Sequence, residues 1–284
     1  MVGADGLIGR ALATRLASLG VKVVPSSRRA LPTGGVHLDL SKRLDLDGIP
    51  KVDVAFLCAA ISRFADCEKD PTLARQVNVL AQVAIAEKLF EQGTHVVFLS
   101  SNAVFDGREF APDEDALPAP VSHYGELKQE AEGLLRYIAD RQFGRLSIVR
   151  LTKVFDATLP LLDGWRKRLA EGETIEAFKD VTVSPVSLAY AVDGLAKVGD
   201  AAMCGVFHLS GAHEWTYAEF AIAFAVACRA DAHLVHPRLR SAQEGLPMLH
   251  NLLGMTLTSE RLGVFAQPGD LMLADLVNSS GYSP

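Results

Sequence analysis

The sequence lacks a long apolar stretch. Its longest uninterrupted apolar run covers residues 220–228, nine residues between Glu219 and Arg229, whereas a membrane span needs about 20. No charged segment followed by an apolar one opens the chain, so the expectation is a soluble, cytoplasmic protein with no membrane partner. Cysteine is scarce: Cys58, Cys67, Cys204 and Cys228. No two of them share a Cys-x-x-Cys spacing and no His-rich motif accompanies them. That argues against a metal site and leaves buried free thiols in a reducing compartment as the expectation. Basic residues are not in excess, with 28 Lys and Arg against 34 Asp and Glu for a net charge of −6. The densest basic cluster is the short run Arg166-Lys167-Arg168, which argues against a phosphate-tracking surface for nucleic acid.

What is present is an ordinary globular composition, 49% hydrophobic and 22% charged over 284 residues. This is long enough for one large α/β unit or two lobes sharing a core. Apolar β-rich runs at 21–24, 52–60, 95–100, 146–151 and 206–210 alternate with helical patterns. The alternation predicts a Rossmann-type, doubly wound parallel sheet flanked by helices. Helices are expected over 8–19, closing at Gly20, and over 124–139. Between them, Asp70 is a good N-cap, Pro71 suits the first helical position, and Gly93 sits past a helix end. Beyond residue 151 the pattern is less regular and is punctuated by Pro160, Pro185, Pro237 and Pro247. The expected organisation is a cofactor-binding domain at 1–152, completed by about 181–212, with a smaller substrate lobe from 153–180 and 213–284. One feature stands apart. A Rossmann unit needs a first strand of about five or six residues, yet only Met1 and Val2 precede the first glycine. Either the numbered chain begins late or that strand is very short.

The chemistry begins at Gly3-Ala4-Asp5-Gly6-Leu7-Ile8-Gly9. Glycines at this spacing permit a tight turn and close approach of backbone N–H groups to a pyrophosphate, and the following helix adds a favourable dipole. Gly3, Asp5, Gly6, Leu7, Ile8 and Gly9 are therefore expected at a nucleotide cofactor. An acid about 20 positions on would hold the ribose 2′-OH of NAD. The chain instead has Ser27, Arg28 and Arg29 after Pro25-Ser26, hydroxyls and guanidiniums suited to a 2′-phosphate. NADP(H) is the preferred expectation and NAD(H) the second; a solvated basic turn is the bland alternative. Asp39-Leu40 could meet the adenine, or Asp39 could simply cap Ser41. Cys58, Ala59 and Ala60 end a buried strand where they could lie against the cofactor, or merely let sheet and helix pack.

The second motif is Tyr124-Gly125-Glu126-Leu127-Lys128. Spacing of four places both side chains on one helix face. A phenol with a pKa of about 10 is a poor acid at neutral pH, and a nearby ammonium would lower that pKa by favouring the phenolate. The pair reads as an acid/base device. A hydroxyl at the end of the 95–100 strand would complete it. Strand alternation lets only one of Ser100 and Ser101 face the cleft.

These residues, with Val77-Asn78 and Ser100-Ser101-Asn102-Ala103-Val104-Phe105-Asp106-Gly107, resemble the extended short-chain dehydrogenase/reductases, most closely the dTDP-4-dehydrorhamnose reductases. The likeness covers most of the chain and is strongest up to about residue 155. It implies that Ser101 bonds the substrate oxygen, that Tyr124 gives it a proton as hydride arrives, and that Lys128 binds the nicotinamide ribose. It places Asn78 beneath the active site. Asn102 and Ala103 replace the family's usual Asp and Tyr, and Lys153 stands where an aromatic residue is common; these positions are expected at the substrate. The implied function is NADP(H)-dependent reduction of a keto group on a nucleotide-activated sugar or another small carbonyl compound. A nucleotide-sugar epimerase or dehydratase with retained cofactor, and a cofactor-binding regulatory subunit without turnover, are the alternatives. A homodimer is left open.

Some groups carry blander expectations. His123 is read as a residue near the helix start, His95 and His208 as structural, and Asp113-Glu114-Asp115 as a solvated loop. Trp165 could stack on a base or sugar, or pack. Arg166, Lys167 and Arg168 could meet a diphosphate, or form a solvated helix face.

Overall fold

The structure, a computed structural model, describes residues 1–29, 35–241 and 249–278. Pro247 and the last six residues of the expected substrate lobe lie outside the described residues. The centre is a parallel sheet in which Val54–Leu57, His95–Ser101, Arg145–Leu151 and Gly205–Leu209 pair in that order. Val2 extends it by bridging Leu57 on one side and Ser26 on the other. Its N–H donates to the Phe56 carbonyl at 2.9 Å, and its carbonyl accepts from Cys58 at 3.0 Å. Ser26–Ser27 then pairs with Val36–His37. Chain order reverses between Val2 and Val54–Leu57, the switch point at which open α/β sheets hold their ligands.

The strand expected at 21–24 is displaced to Ser26–Ser27. With Val2 as the only bridge residue of the first strand, its neighbour can pair only opposite that residue, and the Ser26 N–H donates to the Met1 carbonyl at 2.8 Å. The run at 52–60 contracts to Val54–Leu57.

Alternation along the central strands sorts their side chains. Val96, Phe98 and Ile148 face one side, against the helices Ala81–Glu91 and His123–Gln142. Val97, Leu99, Val149 and Leu151 face the other, against Leu7–Ser18 and Leu188–Ala201. Each fully buried side chain of this size is worth about 1.5–3 kcal/mol, so both faces are strongly specified. Helix starts follow the signals in the sequence. Asp70 accepts from the Leu73 N–H with Pro71 at the first position, and Ser122 caps His123–Gln142 by accepting from Gly125.

A third apolar cluster gathers Phe155, Trp165, Phe220 and Phe224 with Met272 and Leu276. Trp165 lies 6.0 Å from Phe220 between ring centres, so it packs. The basic run is locally engaged: Arg166 covers the Phe224 ring at 5.6 Å, Lys167 pairs with Asp163 at 2.8 Å and Arg168 with Glu173 at 3.5 Å. The four thiols are free but not uniformly buried. Cys67 is enclosed, Cys58 and Cys228 are half-buried, and Cys204 is exposed just ahead of Gly205–Leu209, correcting the expectation of four buried cysteines.

Candidate functional site

The glycine turn lies at the carboxyl edge beside the switch point. Gly3 has φ +80°, and a Cβ there would stand 2.8 Å from the Ala59 backbone. A Cβ on Gly9 would collide with the Gly3 carbonyl. The turn can therefore sit flat on both the strand end and the helix start only as glycine. Gly6 begins Leu7–Ser18 with no side-chain cap and no acid in the first turn. That leaves the first N–H groups and the positive end of the dipole for an anion, a cradle that fits a pyrophosphate. Leu7 and Ile8 are half-buried, Ile8 against the sheet.

Arg29 stands beside this turn, its Nε 4.0 Å from the Asp5 carboxylate. Ser27 is buried and its Oγ accepts from the Arg29 N–H at 2.9 Å. Arg28 is exposed, and its carbonyl accepts from the His37 ring at 3.1 Å. Asp39 is engaged with Ser41, accepting from its hydroxyl at 2.6 Å and its N–H at 3.1 Å; these bonds hold its carboxyl below the usual range. The Leu40 side chain is in the core, so only its backbone is open to a ligand. Ala59 backs Gly3 and Ala60 is exposed at the strand end. Cys58 meets the Met1 sulfur at 3.5 Å, and burial pushes its thiol up to about 12.

Asn78 is fully buried in a π-helical turn, Gln76–Leu80, that no feature of the sequence announced. It accepts from the Ile61 N–H at 2.8 Å and donates to the Ile61 carbonyl at 2.9 Å. It thereby fixes the loop that follows Val54–Leu57. Single π turns are frequent at functional sites.

Ser101 ends its strand and Tyr124 opens the next long helix. The Ser101 hydroxyl lies close enough to the phenol to favour its ionised form; it donates to the Asn102 side-chain oxygen at 3.3 Å and accepts from the Ala103 N–H at 3.2 Å. Gly125, given no role in the sequence reading, makes the approach possible: a Cβ there would strike the Ala103 carbonyl. The helix thus rides directly on the Asn102–Val104 turn. Ala103 is consequently buried beneath the helix. Asn102 donates to the Asn251 backbone and side-chain oxygens at 3.2 Å, and the two residues line a small pocket with His250 and Leu253. His123 pairs with Glu126 at 3.2 Å. Lys153 begins a short strand beyond Arg145–Leu151, and desolvation pulls its pKa below the ordinary lysine value.

Lys128 is buried, one turn beyond Tyr124. Its Nζ donates to the Leu99 carbonyl at 2.7 Å and lies 5.9 Å from the Tyr124 ring centre. The expected lowering of the phenol pKa is not what this arrangement produces. Burial, reinforced by the nearby Cys67 thiol, drives Tyr124 well above its usual value, and only the neighbouring Ser101 hydroxyl opposes it. The ammonium bonds a strand carbonyl instead of the phenol. Its own desolvation brings Lys128 down to about 8. Without a ligand, the site therefore holds a neutral phenol.

A family described as RmlD substrate binding domain matches residues 1–245. The chain is 28% identical over 244 residues to a probable low-salt glycan biosynthesis reductase of Haloferax volcanii, covering 83% of this chain and 81% of that protein. It is 28% identical over 230 residues to a dTDP-4-keto-6-deoxy-D-glucose reductase of Streptomyces niveus, covering 78% and 75%. It is also 27% identical over 252 residues to methionine adenosyltransferase 2 subunit beta of Pongo abelii, covering 80% and 71%. Among solved structures, a dTDP-4-dehydrorhamnose reductase of Clostridium acetobutylicum superposes with a TM-score of 0.84 at 21% identity, covering 99% and 98%. One from Bacillus anthracis in complex with NADP gives 0.83 at 20%, covering 98% and 95%. At those identities the structural likeness speaks for the fold.

Proposed function

This chain belongs to the RmlD substrate binding domain family, and on that premise we propose that it is an NADP(H)-dependent oxidoreductase that reduces a keto group on a nucleotide-activated sugar. The observation that carries this reading is the grouping of Ser101, Tyr124 and buried Lys128 at the end of one strand and the start of one helix, together with the glycine cradle at the switch point. The curated reductases it resembles support the reaction class. We assign residues 1–152 and about 181–212 to the cofactor, and 153–180 with 213–284 to the substrate.

A bound nicotinamide would supply the hydride. The chain's own residues supply the rest. Gly3, Gly6 and Gly9 would give a pyrophosphate its close approach, and Arg28, Arg29 and Ser27 are assigned to a 2′-phosphate. Ser101 holds the carbonyl oxygen by a hydrogen bond. Tyr124 donates its phenolic proton to that oxygen: its O–H bond breaks as the alcohol O–H forms, and the high phenol pKa keeps that proton in place until then. Lys128 is placed to stabilise the resulting phenolate once it turns from the Leu99 carbonyl. Asn102 and Lys153 are assigned to the substrate side of the cleft.

The test is a pair of fluorescence titrations with NADPH and NADH, then a screen of keto-sugar nucleotides by loss of NADPH. Preferential NADPH binding with turnover of one such substrate supports the reading. Equal affinity for the two cofactors sinks the NADP(H) preference, and tight retention of oxidised cofactor with no net consumption favours an epimerase or dehydratase. A second reading, a cofactor-binding subunit of another enzyme, is motivated by the likeness to methionine adenosyltransferase 2 subunit beta. It is supported by a stable stoichiometric complex and the absence of turnover.

A further inference from the structure

The two serines at the end of His95–Ser101 serve different sides. Ser101 faces the phenol. Ser100 turns inward and donates to Glu132 at 2.5 Å. Glu132 is 2% exposed and also takes two bonds from Arg150, Nε at 3.1 Å and Nη2 at 2.8 Å. Arg150 is 1% exposed, and its remaining nitrogen, Nη1, lies 3.5 Å from His208 Nε2 and 3.5 Å from the Glu114 carbonyl. Phe105, from the same motif as the serines, packs on both: its ring is 5.1 Å from the Arg150 guanidinium and edge-on to His208.

His208 itself is fully buried, and its other nitrogen, Nδ1, lies 2.8 Å from the Gly254 carbonyl. A carbonyl can only accept, so Nδ1 carries the proton and Nε2 presents its lone pair to Arg150. A second proton would set an N–H against a guanidinium. Burial and that charge hold the imidazole down to about 4, so it stays neutral. Gly254 belongs to the segment that walls the cleft. Three residues earlier, Asn251 receives the Asn102 amide, and the His250 N–H donates to the Gly107 carbonyl at 2.9 Å. The motif 100–107 and the segment 250–254 therefore touch in front, at Asn102 and Gly107. They are tied behind, through Ser100, Glu132, Arg150 and His208.

We propose that His208, in its Nδ1–H form, is a positioning residue that ties the buried Glu132–Arg150 pair to Gly254 and so holds Asn251 against Asn102 at the substrate cleft. The description of that cleft as the substrate's rests on the reductase reading; the tether does not, and it can be tested without turnover.

Nitrogen-15 NMR of the His208 ring in the intact, ligand-free protein is the direct measurement. The expected result is a protonated Nδ1 and a bare Nε2 down to pH 5. A proton on Nε2 overturns the proposal. Hydrogen exchange then tests the tether. Asn at 208 can keep a donor near the Nδ1 position, whereas Gln reaches toward the Nε2 position. His208→Gln should speed exchange of the 250–256 amides roughly fivefold, the scale of one lost buried hydrogen bond, and His208→Asn should stay within about twofold. Equal loosening by both, or by neither, counts against the tether. If a keto-sugar substrate is in hand, His208→Gln should raise its KM several-fold while NADPH affinity stays unchanged.

Discussion

The two walls of the cleft are built from different physics. On the cofactor side, the glycine turn is backbone geometry, with exposed Arg28 and Arg29 beside it. On the other side, a buried ion pair, Glu132 with Arg150, leads on to the neutral His208. The first wall fails when a side chain intrudes or a surface charge is lost, and folding barely registers the latter. The second fails when one partner is removed and the other is left charged without water, which the whole molecule feels. Binding and stability should therefore separate cleanly between the two.

Tyr124 stands where the walls meet, and it offers the largest effect. Tyr124→Phe keeps the ring and removes only the proton, so kcat should fall by about 10²–10⁴ while an NADPH titration is unchanged; near-normal turnover would end the proton-donor role. Arg150→Met should cost about 1.5–3 kcal/mol of stability by removing the two Arg150 bonds to the buried Glu132 carboxylate, which keeps the Ser100 hydroxyl and Arg136 at 3.3 Å, read as a lowered denaturation midpoint. A loss under about 1 kcal/mol would erase the distinction between the walls, because surface changes sit at that level. The double change Arg28→Ala, Arg29→Ala supplies the counterpart. It should weaken NADPH about tenfold by removing charge-assisted bonds, leave NADH within about twofold, and shift the melting temperature little. Parallel losses for both cofactors would show that the pair does not read the 2′-position.

The smallest effect is in pH. Folding brings Lys128 from 10.5 down to about 8, so between those values the unfolded chain binds more protons and stability rises with pH. Tyr124 is displaced upward from 10, so above about pH 10 the folded state binds more protons and stability turns down. Lys128→Met should flatten the rise between pH 8 and 10 in a series of thermal melts. An unchanged slope would mean that the ammonium is better solvated than its surroundings imply.

The walls were also unequally legible. The glycine turn, the Tyr-x-x-x-Lys helix and the cap at Asp70 are local, and spacing alone marks them. The far wall is not. Ser100 and Glu132 are 32 residues apart, and Arg150 and His208 are 58 apart. Glu114 looked like part of a solvated acidic loop, yet it is 2% exposed and accepts from the Thr258 hydroxyl at 2.6 Å, 144 residues away. No periodicity marks a charge that is to be buried against a distant partner. The pattern of Tyr124 and Lys128 placed them on one helix face, but it could not say that Lys128 bonds a strand carbonyl or that burial reverses the expected shift of the phenol. Gly125 was visible as a residue, but its need was not, because that need lies in the Ala103 carbonyl above it.

Val2 joins the two halves of the sheet through bridges to Ser26 and Leu57, with Met1 and Ala4 adding one backbone bond each to Ser26. In mechanical terms it is a one-residue hinge pin, with the cradle lying directly over it. A ligand laid along Gly3 to Gly9 with its far end at Arg29 would span that joint like a splint. The outer strands Ser26–Ser27 and Val36–His37 would then owe their hold on the sheet to occupancy as well as to sequence, and their resistance to opening should climb with ligand concentration by mass action.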